Sequence, residues 1–296
     1  MYRENQPSHL SPARSTIPLW RIAFTLFVAT ALALVAWTAL SRAAEPETPI
    51  AGTSPDTAAV QSQTPLLYPD LRVIAANDLI PGIENVGGTV RFVVRFTTTI
   101  WNAGEGPLEL RGDSSDGTAR VFQRVYDTSG GMVEFLSGNF TFLEGHNHWH
   151  FENFGRYELW TRGSYERWLA SGRTEGQPEW LSSKTTGQGE SFCVRDSRPM
   201  SGQSAAPFRY ADCGTDIQGI SVNWTDMYTR DLPDQWVDVG MSPLPDGDYV
   251  LRLVADPQNL IYESSDRADP ARESATANEA ITAFTVHGAD ITMSRP

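Results

Sequence analysis

The chain contains five histidines, and three of them fall in Gly145-His146-Asn147-His148-Trp149-His150-Phe151. On an extended strand, residues i, i+2 and i+4 point to one face. The spacing therefore predicts His146, His148 and His150 in a row on one β-strand. Asn147, Trp149 and Phe151 would face the other way. Three neutral imidazoles on one face suit Cu, Zn or Ni. No cysteine lies nearby in the sequence, which argues against a soft thiolate site. An all-nitrogen set with open positions fits Cu(II) or catalytic zinc. The alternative is packing and hydrogen bonding among the imidazoles without a metal.

The elements that must position this row read as strands. Val90–Trp101 is dense in β-branched and aromatic residues and ends at the turn-rich Asn102-Ala103-Gly104-Glu105-Gly106-Pro107. Val121–Asp127 and Met132–Leu136 flank Thr128-Ser129-Gly130-Gly131, a hairpin signal. Trp149–Trp160 reads as a strand pair or one long bent strand. Tyr249–Val254 and Ala280–Val286 complete the set, and only Tyr165–Ser171 has helical character. Many short strands with frequent turns predict an all-β fold, a β-sandwich with long loops.

The first part of the chain differs from this. Arg3, Arg14 and Arg21 precede an uncharged apolar run, Ile22–Leu40, long enough to cross about 30 Å of hydrocarbon as a helix. The positive flank would hold its start in the cytoplasm and send the rest of the chain outside. A cleaved signal peptide ending near Ser41-Arg42-Ala43 and a retained transmembrane anchor both fit. Residues 45–66 read as a flexible Pro/Thr/Ser/Ala linker. The expected organisation is a signal or anchor segment over 1–44, the linker, and one domain over 67–296. An even pair, Cys193 and Cys213, in an exported chain suggests a disulfide, with two buried thiols as the alternative. The formal charge of −13 excludes the basic footprint of a nucleic-acid binder.

The alternating histidines open HNHWHFENFGRYEL (His146–Leu159). Ser191-Phe192-Cys193-Val194-Arg195-Asp196 comes next, then Gly219-Ile220-Ser221, Asp226-Met227-Tyr228 and Gln235-Trp236-Val237-Asp238. Asp248-Tyr249-Val250-Leu251, Asp256-Pro257 and Tyr262-Glu263-Ser264 close the ordered set. In these motifs and their order the chain resembles the lysyl oxidase family, whose copper motif is similar to the histidine stretch. The resemblance implies copper held by the three histidines. It implies oxidation of primary amines, including peptidyl lysine, by O2 to an aldehyde, ammonia and hydrogen peroxide. It also implies a lysine tyrosylquinone cofactor. Tyr228 stands at the quinone-forming tyrosine, and Asp226 is a candidate base.

The family lysine has no counterpart here, because Gly189 occupies its position. Lys184 is the only lysine in the chain, so either it supplies the cross-link from a shifted loop or none forms. In the second case Tyr228 could still give another tyrosine-derived quinone. The family's calcium site matches in part through Asp70, the Leu71 carbonyl, Glu263, Asp266 and Asn278. Other classes remain open at this point. VVRFTTTIWNAGEGPLEL and DGDYVLRLVADPQNLIYE resemble immunoglobulin-like adhesion modules, which lack the histidine row. A metal-storage or metal-delivery protein would use the same row. A zinc hydrolase is disfavoured, since no His-Glu-x-x-His helix is present.

Overall fold

A computed structural model of the protein describes residues 64–113, 119–182, 190–264 and 278–294. The expected N-terminal helix, most of the linker, Lys184, Gly189 and Asp266 lie outside these residues. Among the described residues, no helix is long and apolar enough to cross a membrane.

The described chain is all-β, with one helix. Its strands form four hydrogen-bonded sheets. One runs Gln218–Ile220, Leu108–Asp113, Arg120–Asp127, Met132–Leu143, His148–Phe151, with Leu66–Leu67 paired to Arg120–Asp127. A second runs Trp180–Leu181, Gly155–Thr161, Gly247–Ala255, Glu279–His287, Asp290–Met293. A third joins Arg198–Pro199, Trp224–Tyr228, Thr98–Asn102 and Leu71–Ile74, and a fourth joins Trp236–Gly240, Thr89–Arg95 and Ile80–Val86. All named pairings are antiparallel, and residues from all four sheets feed one main apolar core, with Trp160, Tyr165 and Val250 forming a smaller separate cluster. Phe96, Phe151, Phe192, Leu251 and Phe284 are among its fully buried members.

One expected strand breaks where the chain changes sheet, and Trp149–Trp160 takes the two-strand form of its two expected arrangements. Val90–Trp101 divides at Phe96-Thr97 into Thr89–Arg95 and Thr98–Asn102. Asp78 accepts both the Thr97 amide (2.9 Å) and hydroxyl (2.6 Å), and the Phe96 ring meets Tyr157 edge-on at 4.8 Å. Trp149–Trp160 divides at a turn carrying Asn153 at φ 57°, a conformation Asn tolerates better than most residues. The hairpin after Asp127 forms as the sequence predicts. The Asp127 carboxylate accepts from the amides of Ser129 and Gly131, both at 2.8 Å. The helix spans Arg162–Ala170, starting earlier than Tyr165 because the Thr161 hydroxyl caps it by accepting from the Ser164 amide.

Cys193 and Cys213 are disulfide-bonded. Replacing both by serine is expected to cost about 3 kcal/mol, the loop-entropy value for a closure of this length. Urea denaturation checks this, and an unchanged midpoint would refute it.

Candidate metal and redox site

The long strand Met132–Leu143 ends in a tight turn and returns as His148–Phe151. Thr141 lies opposite His150 and Leu143 opposite His148. The turn is closed by the His146 and Asn147 amides, which donate to the Leu143 carbonyl at 3.0 and 2.8 Å. Asn147 takes φ 57°. His146 therefore stands in the turn and not on the strand, which departs from the expected single-strand row.

The turn still brings the three rings together. His150 Nε2 lies 2.9 Å from His148 Nε2 and 3.2 Å from His146 Nδ1. Nitrogens sharing one ion at about 2.0–2.1 Å would stand about 3 Å apart in neighbouring coordination positions. The set therefore fits a metal. Its all-imidazole chemistry suits Cu(II) or Zn(II).

Segments distant in sequence hold these rings from behind. Phe151 and Phe192 exchange backbone hydrogen bonds of 2.7 and 3.0 Å. That pairing puts the Ser191 carbonyl 3.2 Å and its hydroxyl 3.3 Å from His150 Nδ1. With Nδ1–H donated there, the Nε2 lone pair is left facing the other two rings. His150 is 0% exposed, so its orientation is fixed by packing as well. The His146 Nε2 faces the Asp234 carboxylate at 3.3 Å. Gln218 ties the strand to the disulfide loop. Its carbonyl oxygen accepts from the Val194 amide (2.9 Å), and its NH2 donates to the Trp149 and Gly214 carbonyls, both at 3.0 Å.

The cysteines are distant in sequence from the histidines but close in space. Potential ligand atoms of His148, Cys193 and Cys213 lie within 4.8 Å of one another. As a disulfide the pair offers no thiolate, so the nitrogen character of the site stands.

Asp226 and Tyr228 occupy one strand two residues apart and so share a face. The Tyr228 hydroxyl donates to the Cys193 carbonyl, and its ring meets Phe192 edge-on at 4.9 Å. The three-residue span Ser191–Cys193 thus touches His150 at one end and Tyr228 at the other. Burial pushes the Tyr228 phenol well above its usual range, reinforced by Asp226 and Tyr157. Asp226 is 2% exposed, and the groups that approach its carboxylate are the Arg195 backbone and the Ser197 hydroxyl. Burial raises its carboxyl well above the usual range, against the opposing charge of Arg195.

Beneath them Tyr157 is pushed upward by burial, while Thr98 donates to its hydroxyl at 2.8 Å. Gln235 donates to the Thr98 hydroxyl at 2.9 Å. Asp196 accepts from the amides of Arg209, Tyr210 and Ser221, which anchors the Ser-Phe-Cys segment.

Ser191, Gln218, Asp234 and Gln235 carry no site signal of their own in the sequence. Each lies within or directly beside one of the short family-like motifs, and that proximity is the only hint of their role. In the expected calcium set, Glu263 and Asn278 do meet. The Asn278 NH2 donates to Glu263 Oε1 at 2.6 Å, and the Leu71 amide donates to Oε2. Asp70 instead pairs with Arg72 at 2.7 Å.

Comparison with known proteins gives a consistent picture. The lysyl oxidase family model matches residues 179–282, a stretch that contains Cys193, Cys213, Asp226 and Tyr228 and begins after the histidine row. Mouse lysyl oxidase homolog 4 is 36% identical over 78 residues, 26% of this chain and 10% of that protein. Human lysyl oxidase homolog 2 is 35% identical over 78 residues, 26% of this chain and 9% of that protein. Zebrafish lysyl oxidase homolog 3A is 34% identical over 79 residues, 26% of this chain and 10% of that protein. The matched stretch thus spans about a tenth of the length of these relatives.

Proposed function

We propose, from the premise that residues 179–282 carry a lysyl oxidase family sequence, that this protein is a copper-dependent amine oxidase. Its reaction would convert a primary amine, O2 and water to an aldehyde, ammonia and hydrogen peroxide. The observation that carries this is the Ser191–Cys193 span, which binds a copper-type histidine cluster on one side and the candidate redox tyrosine on the other.

His146, His148 and His150 would hold the copper. A quinone derived from Tyr228 would supply a carbonyl able to condense with the amine, and copper would assist its formation and reoxidation. The chain's own residues do the rest. Ser191 fixes the His150 tautomer. Phe192 walls the Tyr228 ring. Asp226, buried on the strand face it shares with Tyr228 and with a raised pKa, is suited to take a proton from the substrate carbon bearing nitrogen. Peptidyl lysine and smaller lysine-like amines are the substrate class. The disulfide supports an extracytoplasmic site of action, secreted or membrane-anchored. The reading extends to a β-sandwich framework and to calcium at Asp70, the Leu71 carbonyl, Glu263, Asp266 and Asn278, where the ion would have to replace the N–H contacts of Glu263 and the Arg72 contact of Asp70.

The test is to purify the chain with copper, measure bound metal, stain for quinone, and follow peroxide release with a diamine. Copper, quinone and peroxide are expected together. Tyr228→Phe should keep the copper and lose both other signals. Full quinone signal in Lys184→Arg would rule that lysine out of the cofactor. Copper without quinone would favour a non-enzymatic copper-binding protein, and absence of copper would leave an adhesion-type module.

A further inference from the structure

The turn after the Tyr228 strand approaches the histidine cluster from outside. It is closed by the Leu232 amide on the Thr229 carbonyl (3.0 Å) and by the Gln235 amide on the Leu232 carbonyl (3.3 Å). Asp234 takes φ 60°, a left-handed conformation that Asp adopts more readily than most side chains. Its neighbour Gln235 is fully buried and anchored through Thr98 to Tyr157. The turn therefore has a fixed position, and it places Asp234 Oδ2 3.3 Å from His146 Nε2. The other nitrogen of that ring, Nδ1, is the one that faces His150 Nε2.

We infer that Asp234 is a positioning residue for the metal site. As placed, the buried His146 Nε2 makes no hydrogen bond among the described residues, and the Asp234 carboxylate is the anion beside it. On metal binding this carboxylate would take Nε2–H, favouring the tautomer that keeps the Nδ1 lone pair toward the ion. The assignment rests on the proposed copper site. His146 needs such a partner because it stands in a turn, without the strand pairing that orients His148 and His150. Ser191 meets His150 Nδ1 at 3.2 Å, so two of the three rings face polar groups from separate parts of the chain.

Cu(II) affinity of the purified full chain, measured by competition with a chromophoric chelator, tests this together with the copper EPR spectrum. Asp234→Ala is expected to bind Cu(II) about 10–100-fold more weakly, the usual cost of losing an outer-shell partner. Its EPR parameters should shift, while the melting temperature of the metal-free protein should not. Asp234→Asn keeps an acceptor but loses the charge, so it should fall between the two. Wild-type affinity and spectrum in Asp234→Ala would overturn the assignment. If Asp234→Ala does not fold, Asp234→Asn decides, and unchanged affinity there overturns it equally. His150→Ala separates the two levels. If it too binds copper as wild type does, the copper site itself fails. If it loses copper while Asp234→Ala keeps it, only the role of Asp234 fails.

Discussion

His150→Ala is expected to leave the purified chain essentially without copper after dialysis against a chelator. Among the three rings, His150 alone is fully buried, and its Nε2 is the atom that both other donor nitrogens approach. Removing it leaves His146 Nδ1 and His148 Nε2 without the ring that connects them. The loss should exceed the roughly 10–100-fold typical of an outer-shell change, since a ligand itself is gone. Quinone staining should vanish with the metal, because the Tyr228 ring would have no ion nearby to promote its oxidation. Metal content per chain is the deciding measurement. One copper retained per His150→Ala chain would sink the three-histidine site.

Asp226→Asn is expected to move stability and activity in opposite directions. The folded-state pKa of Asp226 is raised by burial, so the folded protein keeps that proton to a higher pH than the unfolded chain does. The unfolded chain releases that proton near pH 4, the ordinary value for aspartate. Below that pH both states hold the proton, and the group contributes no penalty. As pH rises, the unfolded state gains the free energy of ionisation first, so the native protein loses stability up to the raised pKa. Asparagine has nearly the same shape and no proton to lose. Its advantage in melting temperature should be small near pH 4 and should grow toward neutral pH. Peroxide release should fall by about 100-fold or more, the range for loss of a general base. A melting-temperature difference that is flat with pH, or activity close to wild type, would defeat the assignment.

Parts of this site can be read from the amino-acid order because their geometry is local. The Asp226/Tyr228 spacing gives one strand face, and that is how they stand. The clustering of the histidines is likewise signalled by their spacing. Their placement half in a turn is not, because it depends on Asn147 adopting a left-handed backbone. The break at Phe96-Thr97 is hidden for another reason. Residues on both sides are good strand formers, and the interruption comes from Asp78, nineteen residues upstream. Ser191 reaches His150 only through the Phe151–Phe192 pairing, and Asp234 reaches His146 only through the placement of its turn. Such tertiary neighbours leave no periodicity to read. In the calcium set, residue types suggested oxygen ligands, whereas both Glu263 oxygens accept from N–H groups.

The span from Ser191 to Cys193 has a mechanical consequence. One end sets an imidazole, the other receives a phenol, and the disulfide fastens that second end to Cys213. His150 and Tyr228 stand on strands of two different sheets, so the span works as a brace that fixes the distance between those sheets where the two side chains meet it.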